Sequence, residues 1–191
     1  MLGTGLYDAK RYEESLSVKE ADLAMRRRLG ASKGNILVAL GNLANTYRAL
    51  GRLEPALQIN RDVFLDLLKV GGAEHKDTLR EADNYGSLLL RLERYREASK
   101  ILRKLTPVAR RFLGESDETT LRMRWTYAEA LYKDDGATLE DLRESVTTLE
   151  DTERIAKRVL GGTHPLATEI EHHLQKSRAA LRARETPLTS A

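Results

Sequence analysis

Four sets of residues, mostly polar or charged, recur through the middle of the sequence at steps of 42 positions. Within one segment, the members of the four sets are spaced i, i+4, i+7 and i+11, which places them on one face of a helix. An asparagine amide both donates and accepts hydrogen bonds, so it suits the binding of a peptide backbone. Arginines nearby would favour an acidic or carboxylate-bearing peptide through forked, charge-assisted bonds. The aligned sets are Val38, Arg80 and Arg122; Asn42, Asn84 and Thr126; Asn45, Ser87 and Glu129; and Ala49, Arg91 and Lys133.

This face predicts a surface that binds a peptide segment of a partner protein. The predicted binding residues are Asn42, Asn45, Arg80, Asn84, Ser87, Arg91, Arg122, Thr126, Glu129 and Lys133. The alternative interpretation is a merely solvated face, because any helix in water carries polar residues on its exposed side.

Catalytic chemistry finds little support in the sequence. Glu169 and His172 match the Glu-x-x-His spacing of di-iron sites in helical bundles, but such a site needs a second copy and two further glutamates. His75 and His164 occupy equivalent linker positions of two repeats, which accounts for them without chemistry. The sequence contains no zinc-protease motif, phosphate-binding glycine loop, nucleophile elbow or dinucleotide fingerprint. We therefore expect no enzyme, no catalytic residue, no metal site and no cofactor.

Nucleic acid is the alternative class of partner. Arginine clusters at 26–28 and 110–111 could contact phosphates, but both end a helix just before a Leu-Gly pair, where cations favourably oppose the helix dipole. Aromatic residues make up only 5% of the chain, so platforms for stacking bases are scarce. The net charge of +3, from 32 basic and 29 acidic residues, does not indicate a polyanion-binding protein. The residues therefore favour a protein partner over a nucleic acid.

The composition limits the protein to one ordinary domain or one small repeat array. With 191 residues, 41% of them apolar, the chain can bury a core but has little room for two independent ones. The absence of cysteine excludes disulfides and thiolate metal sites and fits a reducing compartment. No apolar run reaches the roughly 18 residues of a membrane helix, and no signal peptide is recognisable at the start. We expect a cytoplasmic location.

Two independent sets of short motifs show that the chain is a repeat array. Leu-Gly or Val-Gly pairs and Tyr/Leu-x-x-Ala/Ser motifs both recur at steps of about 42, and both lengthen to 47 at the last step. The extra residues lie in the polar stretch 134–138, which is rich in turn-forming residues. The first set is Leu29-Gly30, Val70-Gly71, Leu113-Gly114 and Leu160-Gly161, and the second begins at Tyr12, Leu53, Tyr95 and Leu142.

Each repeat is predicted to contain two helices, and no segment shows the alternation of a strand. The helices are expected at 36–50, from Pro55 to about 70, and at 79–92, 96–113, 121–133, 139–160 and 165–184. Glycine pairs should stop them, Asp77 and Thr78 should cap the helix that starts at 79, and Pro107 should kink or break the helix that contains it. Trp125 and Tyr127 are interpreted as packing residues.

Small residues recur at a fixed interval across the turn between paired helices, as close packing of two helices requires. Ala44 and Ala56 are 12 residues apart, as are Gly86 and Ala98, and Gly3 and Ser15; Ala128 and Ser145 follow the same rule after the insertion. This pattern resembles the tetratricopeptide repeat. The segments LGNLANTY (40–47), HKDTL (75–79) and LGESDETTL (113–121) resemble, more narrowly, repeats of the kinesin-light-chain type.

The resemblance implies an all-α helical-repeat solenoid of antiparallel helix pairs in a right-handed superhelix, whose concave face binds peptides. It implies a non-catalytic interaction module, with a kinesin-light-chain-like cargo adaptor as one form. A regulatory array detached from a larger signalling ATPase is the alternative, and a nucleic-acid-binding helical repeat is a further one. The expected organisation is a single array at 1–185 and a disordered tail at 186–191. Within the array, we expect a partial unit at 1–30, full units at 31–72, 73–114 and 115–162, and a terminal helix at 163–185. The truncated first unit favours a fragment of a longer array.

Overall fold

The computed structural model describes residues 5–7 and 10–186, and within these ranges the only regular secondary structure is helical. The all-α prediction is confirmed for this part of the chain. Gly3, one member of the small-residue pairs, and residues 187–191 of the predicted tail lie outside the described residues. The long helices are α1 (Tyr12–Arg28), α2 (Lys33–Ala49), α3 (Leu53–Gly71), α4 (Lys76–Arg91), α5 (Tyr95–Phe112), α6 (Glu118–Lys133), α7 (Leu139–Leu160) and α8 (Pro165–Glu185).

The chain divides into two compact units, Met1–Val70 and Gly71–Ala191. In the first unit, α1 packs on α2. Its core consists of Leu16 and Leu23 from α1 and Ala39 and Leu43 from α2, all at most 6% exposed. These residues recur at helical spacing on each helix, so the apolar stripe of the sequence becomes the buried face.

In the second unit, each helix from α4 to α8 packs against the next one in the chain. The first helices of successive repeats also touch directly, since α4 packs on α6 and α6 packs on α8. The core around α6, α7 and α8 consists of buried apolar side chains. They are Leu121, Ala128, Leu149, Ala156, Leu166, Ala167, Ile170 and Leu174. In a helical-repeat solenoid, each helix packs against the next helix in the chain and against the helices of the neighbouring repeat, as seen here.

The predicted close crossings of paired helices are confirmed by the burial of their small residues. Gly86 and Ala98 are both buried, and a Cβ atom on Gly86 would lie 2.9 Å from Cδ1 of Leu102 on α5. At the next crossing, the hydroxyl of Ser145 donates a 2.8 Å hydrogen bond to the backbone carbonyl of Ala128. Only small side chains fit where the two helices approach this closely.

The helix starts differ from the sequence prediction in one systematic way. Asp77 and Thr78 do not cap α4; His75 does, and its Nδ1 atom accepts a hydrogen bond from the backbone N–H of Asp77. Asp117 caps α6 and His164 caps α8 through the same i+2 bond. These three caps are separated by the repeat steps of 42 and 47, so the two linker histidines are structural.

Pro107 does not break its helix, contrary to the prediction, because α5 is continuous from Tyr95 to Phe112. A proline inside a helix removes the hydrogen bond to the carbonyl four residues earlier. Pro107 is exposed, so that carbonyl, on Arg103, can be hydrated at the outer face of α5. The predicted stops at the glycine pairs are confirmed, since helices end at Gly71 and Leu160 and the φ angles of 74° at Gly72 and 90° at Gly161 suit residues without a Cβ atom.

Candidate peptide-binding face

The first helices α4 and α6 carry most of the predicted binding residues, and a pocket of about 350 Å³ lies between them. Three of the predicted residues, Arg80, Asn84 and Arg122, line this pocket together. The sequence steps of 42 therefore correspond to a real juxtaposition here, because α4 and α6 are packed against each other. The remaining lining residues come from the same two helices and their caps: Lys76, Asp83, Asp117, Glu118 and Thr119.

Each cation of the pocket is held by a carboxylate of the protein itself. The guanidinium of Arg80 lies 2.8 Å from a carboxylate oxygen of Asp77, and Nζ of Lys76 lies 3.0 Å from Asp117. The side chain of Arg80 is 60% exposed, so it can exchange this partner for another one. The lining carries three cations (Lys76, Arg80, Arg122) and three carboxylates (Asp83, Asp117, Glu118), so its charge is balanced.

Asp83 joins the two first helices and was not among the residues predicted from the sequence. Its side chain is only 3% exposed, and it accepts hydrogen bonds from Nε of Arg122 at 3.1 Å and from the hydroxyl of Thr126 at 2.8 Å. Asp83 thus fixes the direction in which Arg122 enters the pocket. The sequence carried only a weak signal for it, an acidic residue one position after Ala82 and two before Tyr85 in a predicted helix.

Other predicted residues of the face are engaged within the protein. Thr126 is 5% exposed, with its hydroxyl directed at Asp83. Glu129 is 12% exposed and forms an ion pair with Lys133 at 2.6 Å. Asn84 is half-buried, and its amide nitrogen donates a 3.1 Å hydrogen bond to Glu81. Arg91 is exposed at the end of α4, and Ser87 is half-buried one turn earlier.

His173 continues the aligned columns onto α8, and the sequence analysis missed this position as well. Applying the longer step of 47 to Arg122, Thr126, Glu129 and Lys133 gives Glu169, His173, Lys176 and Ala180. Nδ1 of His173 lies 2.9 Å from the hydroxyl of Tyr132. Its ring also packs edge-on against Trp125, with centroids 5.1 Å apart. The extended column was a sufficient signal to find this residue.

Burial sets the protonation of this cluster. It lowers the pKa of His173 below its usual value of 6.5; Glu129 opposes this shift, while Lys176, Lys133 and His172 reinforce it. Burial also raises the pKa of Tyr132, and Glu129 adds to the effect. His173 is therefore neutral near pH 7, and its contacts with Tyr132 and Trp125 hold α8 on α6.

The aromatic residues of α6 pack and bridge helices, as the sequence predicted. The hydroxyl of Tyr127 donates to Glu144 of α7 at 2.7 Å and accepts from Nε of Arg103 of α5 at the same distance. Burial, together with the hydrogen bond to Glu144, raises the pKa of Tyr127 to about 12. Nε1 of Trp125 is buried and has no hydrogen-bond partner within the part of the chain that the structure describes.

The first unit carries the two remaining predicted residues on α2. Asn42 is exposed, and its backbone carbonyl accepts hydrogen bonds from Nζ of Lys19 at 3.3 Å and from the hydroxyl of Thr46 at 3.1 Å. Asn45 is half-buried. Neither amide side chain is needed for these bonds, since they involve the backbone of Asn42.

Metal and membrane sites find no support in the described residues. Among residues 5–7 and 10–186, no three His, Asp or Glu side chains converge in a way that could hold a metal ion. Within the same ranges, no helix combines the length and apolarity needed to cross a bilayer.

Comparison with known proteins identifies the repeat. A family model described as "Tetratricopeptide repeat" matches residues 36–77, which cover most of α2, all of α3 and the first residues of α4. The chain therefore contains a segment that resembles a tetratricopeptide repeat. No curated protein sequence matches it significantly.

Several solved structures share this fold, and among them are repeats described as those of a kinesin light chain. A variant of the nearly identical TPR-like repeats of a Podosopora anserina protein, described as a kinesin light chain, has a TM-score of 0.80 at 19% identity, over 96% of this chain and 85% of that one. A second structure of these repeats has a TM-score of 0.74 at 18% identity, over 100% and 94%. BtubC (BKLC) from P. vanneervenii has a TM-score of 0.71 at 14% identity, over 100% and 82%.

These matches establish the fold class of the chain. The fold is a helical-repeat solenoid whose helix pairs resemble those of these kinesin-light-chain-type structures. Identities below 20% support the architecture and leave the partner to be inferred from the chain's own residues.

Proposed function

We propose that this protein is a non-catalytic scaffold that binds a peptide segment of a partner protein on its first helices. The observation that carries the proposal is the pocket between α4 and α6, where Arg80, Asn84 and Arg122 line one cavity. The other members proposed in the second unit are Ser87, Arg91, Thr126, Glu129 and Lys133. In the first unit, the proposed binding residues are Asn42 and Asn45.

The chemistry of the pocket suits a peptide backbone. Arg80, Asn84 and Arg122 supply N–H donors, while Asp83, Asp117 and Glu118 on the same walls supply acceptors. A peptide backbone presents one donor and one acceptor per residue, so both kinds of group can be matched. The balanced charge gives this pocket no preference for an acidic peptide, and buried Thr126 contributes by positioning Asp83 and Arg122.

The residues of the face divide into two roles under this proposal. Arg80 and Arg91 are exposed and free to reorient toward a ligand. The bonds of Asp83 to Thr126 and Arg122 hold α4 and α6 in register, and the pair of Glu129 with Lys133 lies within α6. Rigid presentation lowers the entropy lost on binding, because fewer side chains must be ordered when the peptide arrives.

The test compares capture of partners from a nuclease-treated lysate by the wild type and by Arg80→Ala/Asn84→Ala/Arg122→Ala. The matched control is Arg158→Ala/Gln175→Ala/Arg182→Ala, which removes two arginines and one amide from exposed positions of α7 and α8. Circular dichroism first checks that both variants remain folded.

Partners retained by the control and lost by the pocket variant would support the proposal. Peptides from those partners should then bind the wild type at least about tenfold more tightly than the pocket variant, as expected for losing several hydrogen bonds to charged groups. Equal capture by all three proteins would show that the partners do not bind this face.

A cargo-adaptor role is a finer form of this proposal, favoured by the fold shared with repeats of a protein described as a kinesin light chain. Tubulin or motor subunits among the pocket-dependent partners would support it. Pocket-dependent partners of another kind would leave the scaffold proposal in place and refute the adaptor role.

A further inference from the structure

A second pocket lies beside the second helices of the second unit, and it shares no lining residue with the α4–α6 pocket. It has a volume of about 270 Å³ and is formed by α5, the end of α6, the turn after it and the start of α7. The floor is apolar, since Ala130, Leu131 and Ala137 are each at most 5% exposed. The polar lining residues are Ser99, Lys100, Arg103, Lys104, Asp134 and Asp141.

The two carboxylates of this pocket already accept hydrogen bonds from neighbouring groups of the protein. Asp141 accepts from the backbone N–H and the hydroxyl of Thr138 in the capping box that starts α7, at 3.0 and 2.7 Å. These bonds hold the pKa of Asp141 below its usual value, with help from Arg103. Asp134 accepts from the backbone N–H of Gly136 and from Nε of Arg96, at 3.0 and 2.9 Å.

The two lysines of the pocket, in contrast, have no such bonds in the part of the chain that the structure describes. Lys100 and Lys104 are exposed and have no side-chain partner in the described ranges 5–7 and 10–186. They stand one helical turn apart on α5, with Arg103 beside them, which bonds Asp141 and Glu144 at 3.3 and 3.2 Å. The pocket therefore combines an apolar floor with a wall that carries two unneutralised cations.

We propose that this pocket, defined here as the α5–α7 pocket, is a second docking site that takes an acidic, extended segment of a protein partner. Side chains one turn apart on a helix have Cβ atoms about 5–6 Å apart, and alternate residues of an extended chain are separated by about 6.6 Å. Acidic residues at alternate positions can thus reach Lys100 and Lys104 together. The intervening apolar side chain faces the floor of Ala130 and Leu131.

The geometry fits this ligand better than other anions. The α7 N-terminus has its cap bonds satisfied by Thr138 and Asp141, so it offers little to a free phosphate. The lining contains no aromatic side chain on which a base could stack. The volume is below the roughly 300–1,000 Å³ of pockets for drug-sized ligands, and it suits one or two peptide side chains.

The experiment measures fluorescence anisotropy of a labelled peptide of alternating glutamate and leucine. Lys100→Glu/Lys104→Glu should weaken binding at least about tenfold, because two attractive contacts become repulsive. The neutral variant Lys100→Gln/Lys104→Gln should show a smaller loss. Arg158→Glu/Arg182→Glu, with the same change of net charge at exposed sites on α7 and α8, should stay within about twofold of the wild type.

Three results would overturn the proposal: no wild-type binding at about 1 mM protein, an equal loss in the Arg158/Arg182 control, or tighter binding of a labelled single-stranded oligonucleotide. A probe in which glutamine replaces glutamate should bind at least about tenfold more weakly. The variant Arg80→Ala/Asn84→Ala/Arg122→Ala should leave the affinity for the acidic probe unchanged. This last comparison separates failure of the α5–α7 pocket from failure of the proposed function at the α4–α6 pocket.

Discussion

A double-mutant cycle at Ser145 and Ser177 tests the packing of the last three helices. Both side chains are fully buried, and their hydroxyls form a chain in which Ser177 donates to Ser145 at 2.8 Å and Ser145 donates to the carbonyl of Ala128, also at 2.8 Å. The chain therefore connects α8, α7 and α6 at the point where small residues allow the helices to approach.

The expected free-energy changes follow from what each substitution leaves behind. Ser177→Ala removes one neutral hydrogen bond and should lower the free energy of unfolding by about 1 kcal/mol. Ser145→Ala removes two bonds and leaves the buried hydroxyl of Ser177 without its acceptor, so it should cost about 2 kcal/mol. The double variant leaves no orphaned hydroxyl and should also cost about 2 kcal/mol, which gives a coupling of about 1 kcal/mol.

Urea unfolding followed by circular dichroism at 222 nm measures these differences, provided that all variants have the same denaturant slope. Thr147→Ala, at an exposed position of α7, is the control and should change stability by less than about 0.5 kcal/mol. Strictly additive single substitutions would refute the reasoning, because they would mean that Ser177 does not depend on Ser145 for its partner.

Three further predictions concern packing, pH and a buried ion pair. Gly86→Leu should destabilise the protein by about 1–3 kcal/mol or more through overpacking, whereas Gly86→Ala should cost less because alanine gains about 1 kcal/mol of helix propensity; urea unfolding checks both. Burial lowers the pKa of His173, so the unfolded chain binds the proton more tightly than the folded one. Stability should therefore fall as the pH drops below 6.5. In thermal melts, His173→Gln should make this decrease smaller. The side chain of Arg124 is 6% exposed and lies 2.9 Å from Glu115 and 3.8 Å from Asp151. The variant Glu115→Gln/Asp151→Asn should destabilise the protein more than Arg124→Met, because only the former leaves a buried charge unpaired. Chemical denaturation measures both.

The sequence alone determined the repeat architecture of this protein. The recurring Leu-Gly pairs, the apolar spacing of 3.6 and the small residues at intervals of 12 are local signals, and each one constrains a helix or the crossing of two helices that are adjacent in the chain. Gly86 and Ala98 illustrate this, because their spacing across one short turn is enough to bring them face to face.

Only the tertiary structure decided which residues of the candidate face are exposed and which are bonded within the protein. Arg80 and Thr126 belong to the same set of sequence columns, yet Arg80 is exposed in the α4–α6 pocket while Thr126 is buried against Asp83. The bond between Asp83 and Thr126 joins residues 43 positions apart, so its existence depends on how α4 packs on α6. Periodicity fixes which residues share a helical face, whereas the partner of each polar side chain depends on atoms of another helix.

The same distinction explains the helix ends and Pro107. Asp77 and Thr78 were the predicted caps of α4, whereas His75 takes that place, because its φ and ψ of −75° and 134° are the extended angles of a cap residue. Pro107 should break an isolated helix, but α5 continues through it because packing holds one face while the proline lies on the other, exposed face. The sequence determined which segments are helical and which pair, because those signals are local. Only the tertiary structure decided which polar groups remain open to a partner, because long-range pairing satisfies the others.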